Sequence, residues 1–178
     1  MSALLVLTAG CGTGQVETVV LGPEIAQRAF QKYDANGDAS LSQDELKSSP
    51  PLLASLPRID SNKDGAISLD ELSSRVATLS AGARYIALDV RIVEKGKPIV
   101  GAELTLVPET FMGEGRPKFS GTSSVGGYCS IKPDGPRLPG VPVGWYVATI
   151  VVPDSHKTVT KGVEIASDVT GNRLEINL

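Results

Sequence analysis

A twelve-residue pattern occurs twice in this 178-residue chain, and it constrains the N-terminal half more than any other feature. The first copy runs Asp34-Ala-Asn36-Gly-Asp38-Ala39-Ser40-Leu41-Ser42-Gln-Asp-Glu45. The second runs Asp60-Ser-Asn62-Lys-Asp64-Gly65-Ala66-Ile67-Ser68-Leu-Asp-Glu71. Oxygen-bearing side chains at positions 1, 3 and 5 of such a loop turn inward, position 7 adds a backbone carbonyl, and a Glu at position 12 closes the shell with two oxygens. A donor set of about six to eight hard oxygens is what Ca²⁺ requires. The candidate ligands are Asp34, Asn36, Asp38, Ser40 and Glu45 in the first loop, and Asp60, Asn62, Asp64, Ala66 and Glu71 in the second. Leu41 and Ile67 share position 8, where an apolar side chain turns into the small core between paired loops.

Helical periodicity flanks both copies. In residues 23–33, Ile25, Ala29, Phe30 and Tyr33 recur at three- and four-residue spacing, and Pro23 is tolerated in the first turn. In residues 69–79, Leu72, Val76 and Leu79 share one face, with Gly82 past the end. Together these segments resemble a pair of EF hands, over residues 22–80, and the resemblance implies Ca²⁺ binding at both loops. Dockerins also carry two such loops, but they end them in Asp and lack the entering helix. Glu45, Glu71 and the helix before Asp34 therefore favour the EF-hand reading.

Two details shape the expectation further. Position 6 turns sharply with positive φ, which costs a residue with a Cβ roughly 1 kcal/mol. Gly65 meets the demand and Ala39 does not, so tighter binding is expected at the second loop. Residues 46–59 must hold both the helix leaving loop one and the helix entering loop two, and Pro50, Pro51 and Pro57 limit each to two turns at most. Sensors of the calmodulin type open a Met-rich groove. With only Met1 and Met112, this chain is not expected to capture target helices.

The overall balance excludes other classes. A net charge of −3, from 20 acidic and 17 basic residues, gives no footing for nucleic acid. A single His, at 156, cannot build a His-based metal site or a His-driven triad. His156 is expected in an exposed turn. The N-terminal stretch is apolar from Ala3 to Leu7 and ends Leu7-Thr8-Ala9-Gly10-Cys11. It resembles a bacterial lipoprotein signal over residues 1–11, which implies lipidation of Cys11, export across the inner membrane and a short tether over residues 12–21. The membrane is then met only through that lipid anchor. A disulfide between Cys11 and Cys129 is the alternative.

Beyond Arg84 the period changes to two. Ile86, Leu88, Val90 and Ile92 alternate with polar or small neighbours, and similar short runs occupy residues 102–107, 118–123, 128–132, 145–152, 162–165 and 173–178. Six or seven short strands bounded by Gly, Pro, Asp or Asn predict an antiparallel sandwich over residues 84–178. The turns Gly96-Lys-Pro98-Ile-Val-Gly101-Ala102, Thr122-Ser-Ser-Val-Gly126-Gly127-Tyr128 and Pro142-Val-Gly144-Trp145-Tyr146-Val147 are similar to those of the transthyretin-like, or carboxypeptidase regulatory-like, sandwich. The urate-pathway hydrolases of that fold rely on several His and a Tyr-Arg-Gly-Ser ending, which this chain lacks. Cys129 is expected to be a buried structural thiol. Trp145 and Tyr146 point to opposite faces of one strand, so one is expected in the core and the other is free for a sugar or peptide.

The fold class expected is thus a small all-α EF-hand pair followed by an all-β antiparallel sandwich of transthyretin-like or Ig-like type, joined by a tight hinge at residues 80–83. The function expected is Ca²⁺ binding without catalysis, with Ca²⁺ as a structural staple in a secreted, lipid-anchored envelope protein. The alternative is a Ca²⁺-dependent module whose sandwich recognises a glycan or envelope protein.

Overall fold

The structure is a computed structural model and describes residues 21–178 except 83, 136, 154, 156 and 170–172. Cys11, the signal, most of the tether and His156 therefore lie outside the described residues.

The helical part comes first. Its elements are α1 (Glu24–Tyr33), β1 (Ser40–Leu41), α2 (Gln43–Leu46), α3 (Pro50–Ile59), β2 (Ile67–Ser68) and α4 (Leu69–Ala81). α1 buries Ile25, Ala26, Ala29, Phe30 and Tyr33, the stripe that its periodicity predicts. α3 departs from expectation, since it runs ten residues through Pro57 and is nearly three turns long. Pro50 and Pro51 fall in its first turn, where no intrahelical N–H is needed, and burial of Leu52, Leu56 and Ile59 outweighs the single bond that Pro57 forgoes. α4 continues through Ser80 and Ala81, where a hinge was expected, and the Ser80 hydroxyl donates to the Val76 and Leu21 carbonyls.

The β part holds β3 (Tyr85–Ile86), β4 (Asp89–Glu94), β5 (Lys97–Pro98), β6 (Glu103–Pro108), β7 (Phe119–Thr122), β8 (Tyr128–Cys129), β9 (Lys132–Pro133), β10 (Val141–Pro142), β11 (Gly144–Val151), β12 (Thr158–Ile165) and β13 (Arg173–Asn177). One sheet has the order β12-β11-β6-β7-β9 and the other β13-β4-β5, with β8 also on β4. β3 pairs separately with β10. The predicted run over residues 128–132 divides, because β8 joins one sheet and β9 the other. β12 begins earlier than expected, since Thr158–Lys161 has one apolar residue, Val159, too few to mark a strand by alternation. The pairing is antiparallel except at the end, where β13 lies parallel to β4. A hairpin would force the antiparallel sense; β13 arrives from the other sheet and is free of that constraint.

Trp145 and Tyr146 do point to opposite faces, but both are fully buried. The expectation of one free aromatic fails because the helices cover the outer face of the β12-β11-β6 sheet. Tyr146 turns inward to meet Phe119 edge-on, and its hydroxyl donates to the Pro142 carbonyl. Trp145 turns outward, where its ring packs on Phe111 and its Nε1–H donates to Ser55 Oγ of α3 at 3.1 Å. The start of α3 lies on β12 at Gly162, where a Cβ would overlap the Pro50 backbone. One contiguous apolar core consequently spans both parts. Cys129 is a buried free thiol, pushed up from its ordinary pKa by desolvation, as expected of a structural cysteine.

Two buried carboxylates complete the seam. Glu109 accepts the Tyr33 and Ser49 hydroxyls, and Glu164 accepts from Arg58 and Arg75. Burial pushes the Tyr33 hydroxyl above its ordinary pKa, and Glu109 adds to this against the opposing effect of Lys32, so Tyr33 remains a donor. Burial lowers the Arg75 pKa, but its hydrogen bonds to Asp168 and Glu164 more than offset that.

Gly162→Ala should lift α3 from β12 and lower stability by about 1–3 kcal/mol, as overpacking does. Urea unfolding at equilibrium measures this, and an unchanged midpoint would mean that the close approach is not needed.

Candidate metal centre

Each twelve-residue segment folds into a loop whose side chains hold its own backbone. In loop one, Asp34 caps α1 and its carboxylate accepts the N–H groups of Gly37 and Ala39 at 2.7 and 3.0 Å. Asn36 Oδ1 accepts the Asp38 N–H, and Asp38 Oδ1 accepts the Ser40 N–H, both at 2.9 Å. Loop two follows the same scheme with one change, since the first Asp takes the N–H of position 5 where loop one uses position 4. Asp60 accepts from Asp64 and Gly65, Asn62 from Asp64, and Asp64 from Ala66. In both loops the Asn amide also donates to the Asp two residues on.

Loops are joined through β1 and β2, with Leu41 opposite Ile67 and Ser40 opposite Ser68. Both position-8 side chains are fully buried, where the sequence predicts them. This short ladder fixes the two loops side by side.

The closing glutamates have a second task that the sequence reading missed. Ser42 and Ser68 are the N-caps of α2 and α4, and Glu45 and Glu71 complete capping boxes with them. The signal was present as Ser-x-x-Glu at positions 9 to 12. One Glu45 oxygen accepts the Ser42 N–H and hydroxyl, while the other reaches across the loop to the Ala35 N–H at 3.0 Å. Glu71 does the same with Ser68, and its other oxygen takes the Ser61 N–H and hydroxyl and the Asn62 N–H. Desolvation raises the Glu71 pKa, but the donors of Ser68, Asn62 and Ser61 outweigh it and hold the carboxyl at about 2. Glu45 is likewise lowered, chiefly by Ser42. Both are anionic at neutral pH.

The donors offered are carboxylate, amide and carbonyl oxygens, with no nitrogen or sulfur, which suits a hard divalent cation. Among the described residues no three acidic, His or Cys side chains already converge on one point. The carboxylates of each loop are held apart by backbone N–H groups, and the Glu is folded onto its cap.

The backbone bears on the ground given for tighter binding at the second loop. Positive φ occurs at positions 4 and 6 of both: Gly37 (73°) and Ala39 (63°), then Lys63 (62°) and Gly65 (87°). Each loop thus has one glycine and one strained residue, in opposite order. The strain at Ala39, taken alone, had favoured loop two; Lys63 restores the balance, so backbone strain does not rank the sites. Gly37→Ala and Gly65→Ala should each cost about 1 kcal/mol in urea unfolding. A loss confined to Gly65→Ala would reinstate position 6 as the sole strained point.

The family model described as EF hand matches residues 25–48 and 58–77, the two helix–loop–helix segments. No curated protein and no solved structure matches the chain. The helical part is an EF-hand region, a type that is typically non-catalytic, and the ion that such a region implies is Ca²⁺.

Proposed function

We propose that this chain is a non-catalytic, Ca²⁺-stapled protein of the bacterial cell envelope. In this reading Asp34, Asn36, Asp38, the Ser40 carbonyl and Glu45 hold one ion, and Asp60, Asn62, Asp64, the Ala66 carbonyl and Glu71 hold the other. The observation that carries it is the closely similar hydrogen-bond scheme of the two loops, set side by side by the Leu41–Ile67 pair. Ca²⁺ bound to the native state alone adds RT ln(1 + [Ca²⁺]/Kd), about 2.7 kcal/mol at a hundredfold excess over Kd. Because one apolar core spans helices and sandwich, that stabilisation is shared by the whole chain. The buried carboxylates of the seam are engaged by structural partners, and Cys129 is a buried thiol, which supports a non-catalytic role.

The lipobox at Leu7–Cys11 supports export and lipidation at Cys11. The two facing sheets and the turn residues quoted above support a transthyretin-like identity for the β part. A second reading, in which the sandwich contacts a glycan or envelope protein, is favoured by one observation. Among the described residues the large apolar side chains left exposed are Val100 and Val125, in turns joined where Gly101 N–H bonds the Ser123 carbonyl, and Tyr128 at the start of β8. Tyr128 there lies beside the Arg91 guanidinium.

Calorimetric Ca²⁺ titration of a form beginning at residue 12 should show two binding events, with Glu45→Gln and Glu71→Gln each removing one. Chelator should lower the melting temperature of the whole chain in a single transition, by about 5–10 °C for a hundredfold-saturated site. Absence of binding heat at millimolar Ca²⁺ would leave the loops as acidic turns and end the staple reading. Incorporation of labelled palmitate in a bacterial host, abolished in Cys11→Ser, tests the anchor.

A further inference from the structure

We propose that Glu109 and Glu164 of the β part are positioning residues for the two Ca²⁺ loops, each clamping the helix that enters one loop to the segment that leaves it. The inference rests on the Ca²⁺ reading above and extends it to residues outside the EF-hand region.

Glu109 follows β6 and is buried. Its Oε2 accepts the Tyr33 hydroxyl at 2.8 Å and its Oε1 the Ser49 hydroxyl at 2.9 Å, with Lys32 Nζ 3.7 Å away. Tyr33 is the last residue of α1, directly before Asp34, and Ser49 lies just past α2 and caps α3. Glu164, in β12, is arranged in the same way. Its Oε2 takes Arg58 Nε at 3.0 Å and its Oε1 takes Arg75 Nε at 2.7 Å. Arg58 is on α3, two residues before Asp60, and Arg75 is on α4, four residues after Glu71. Each carboxylate therefore divides its two oxygens between the two sides of one hand.

The mounts of both clamps adjoin a single residue. Glu164 is the cross-strand partner of Trp145, and Glu109 N–H donates to the Trp145 carbonyl at 2.9 Å. Trp145 itself reaches up to Ser55 in the middle of α3. Three attachments thus cross the sheet surface under the hands, and paired strands fix their spacing. A sensor hand opens its interhelical angle when it binds, whereas a buffer hand barely moves. Helices pinned on both sides of the loop to a rigid sheet keep one angle, and the loop between them is preorganised. Groups that hydrogen-bond a ligand directly typically cost about ten- to hundredfold in metal affinity when removed. Glu109 and Glu164 act one step further out, on residues beside the ligands, which sets the expectation at about the lower end of that range.

The test is calorimetric Ca²⁺ titration of the full chain, at a temperature where circular dichroism shows every variant folded. Glu71→Gln isolates loop one and Glu45→Gln isolates loop two. Adding Glu109→Gln or Tyr33→Phe to the first background, and Glu164→Gln or Arg58→Met to the second, should weaken binding about tenfold. Crossing them, with Glu109→Gln over loop two and Glu164→Gln over loop one, should cost clearly less. Tyr33→Phe and Arg58→Met decide the matter if either Glu variant fails to fold. Matched variants that melt earlier yet bind Ca²⁺ as tightly as their backgrounds would reduce both glutamates to interface residues and overturn the clamp. If the single-site backgrounds release no Ca²⁺ heat, the Ca²⁺ reading falls and the clamp falls with it.

Discussion

A carboxylate taken out of water must be given donors or it will not stay charged, and Glu164 has been given two arginines from two different helices. That requirement organises the molecule. The side chain of Glu164 is fully buried, Arg75 is nearly so, and Arg75 also grips Asp168 with both terminal nitrogens. Loss of either arginine would leave Glu164 with one charged partner, so the second arginine secures a carboxylate that water cannot reach. Helices α3 and α4 are thereby placed over β12. Gly162 then permits the close approach, and Trp145 and Phe111 fill the space beside it.

Covering the outer face of the sheet changes what each part has to supply. A helical unit of some 60 residues is small for an independent core. Here its apolar stripe faces the sheet as well as its own helices, within one contiguous core. The ion sites are accordingly not appended to a finished sandwich; the loop ends and the sheet surface are adjacent parts of one packed object. Lys32 shows how short the distance is, since it precedes Tyr33 in α1 and already reaches Thr110 beyond β6.

Much of this was legible in the residues, and the rest was hidden for identifiable reasons. The loops were readable because cation chemistry fixes residue types at fixed spacing. α1 and α4 were readable from their apolar stripes, and most strands from alternation. Trp145 misled because alternation says only that two faces differ, and it is silent on whether a second layer lies over the outer one. Glu164 has the same difficulty: Val163-Glu164-Ile165 reads as a strand with one wet residue, and only the helices above make it buried. Pro57 suggested a break that burial of its neighbours overrode. Lys63 carries no sequence mark of a left-handed residue, since Gly, Asn or Asp would signal one and a lysine does not, yet the structure sets it at φ 62°.

The parallel pairing of β13 with β4 has a consequence for the order of assembly. The strand that opens the sandwich, β4, gains its neighbour on that side only from the final residues of the chain. Contacts so distant in sequence form slowly compared with a helix–loop–helix segment, whose partners are local. The pairing of β13 with β4 is the most sequence-distant closure in that sheet. That edge of β4 stays open to other strands until residues 173–177 have paired with it, so its protection rests on a segment distant in sequence.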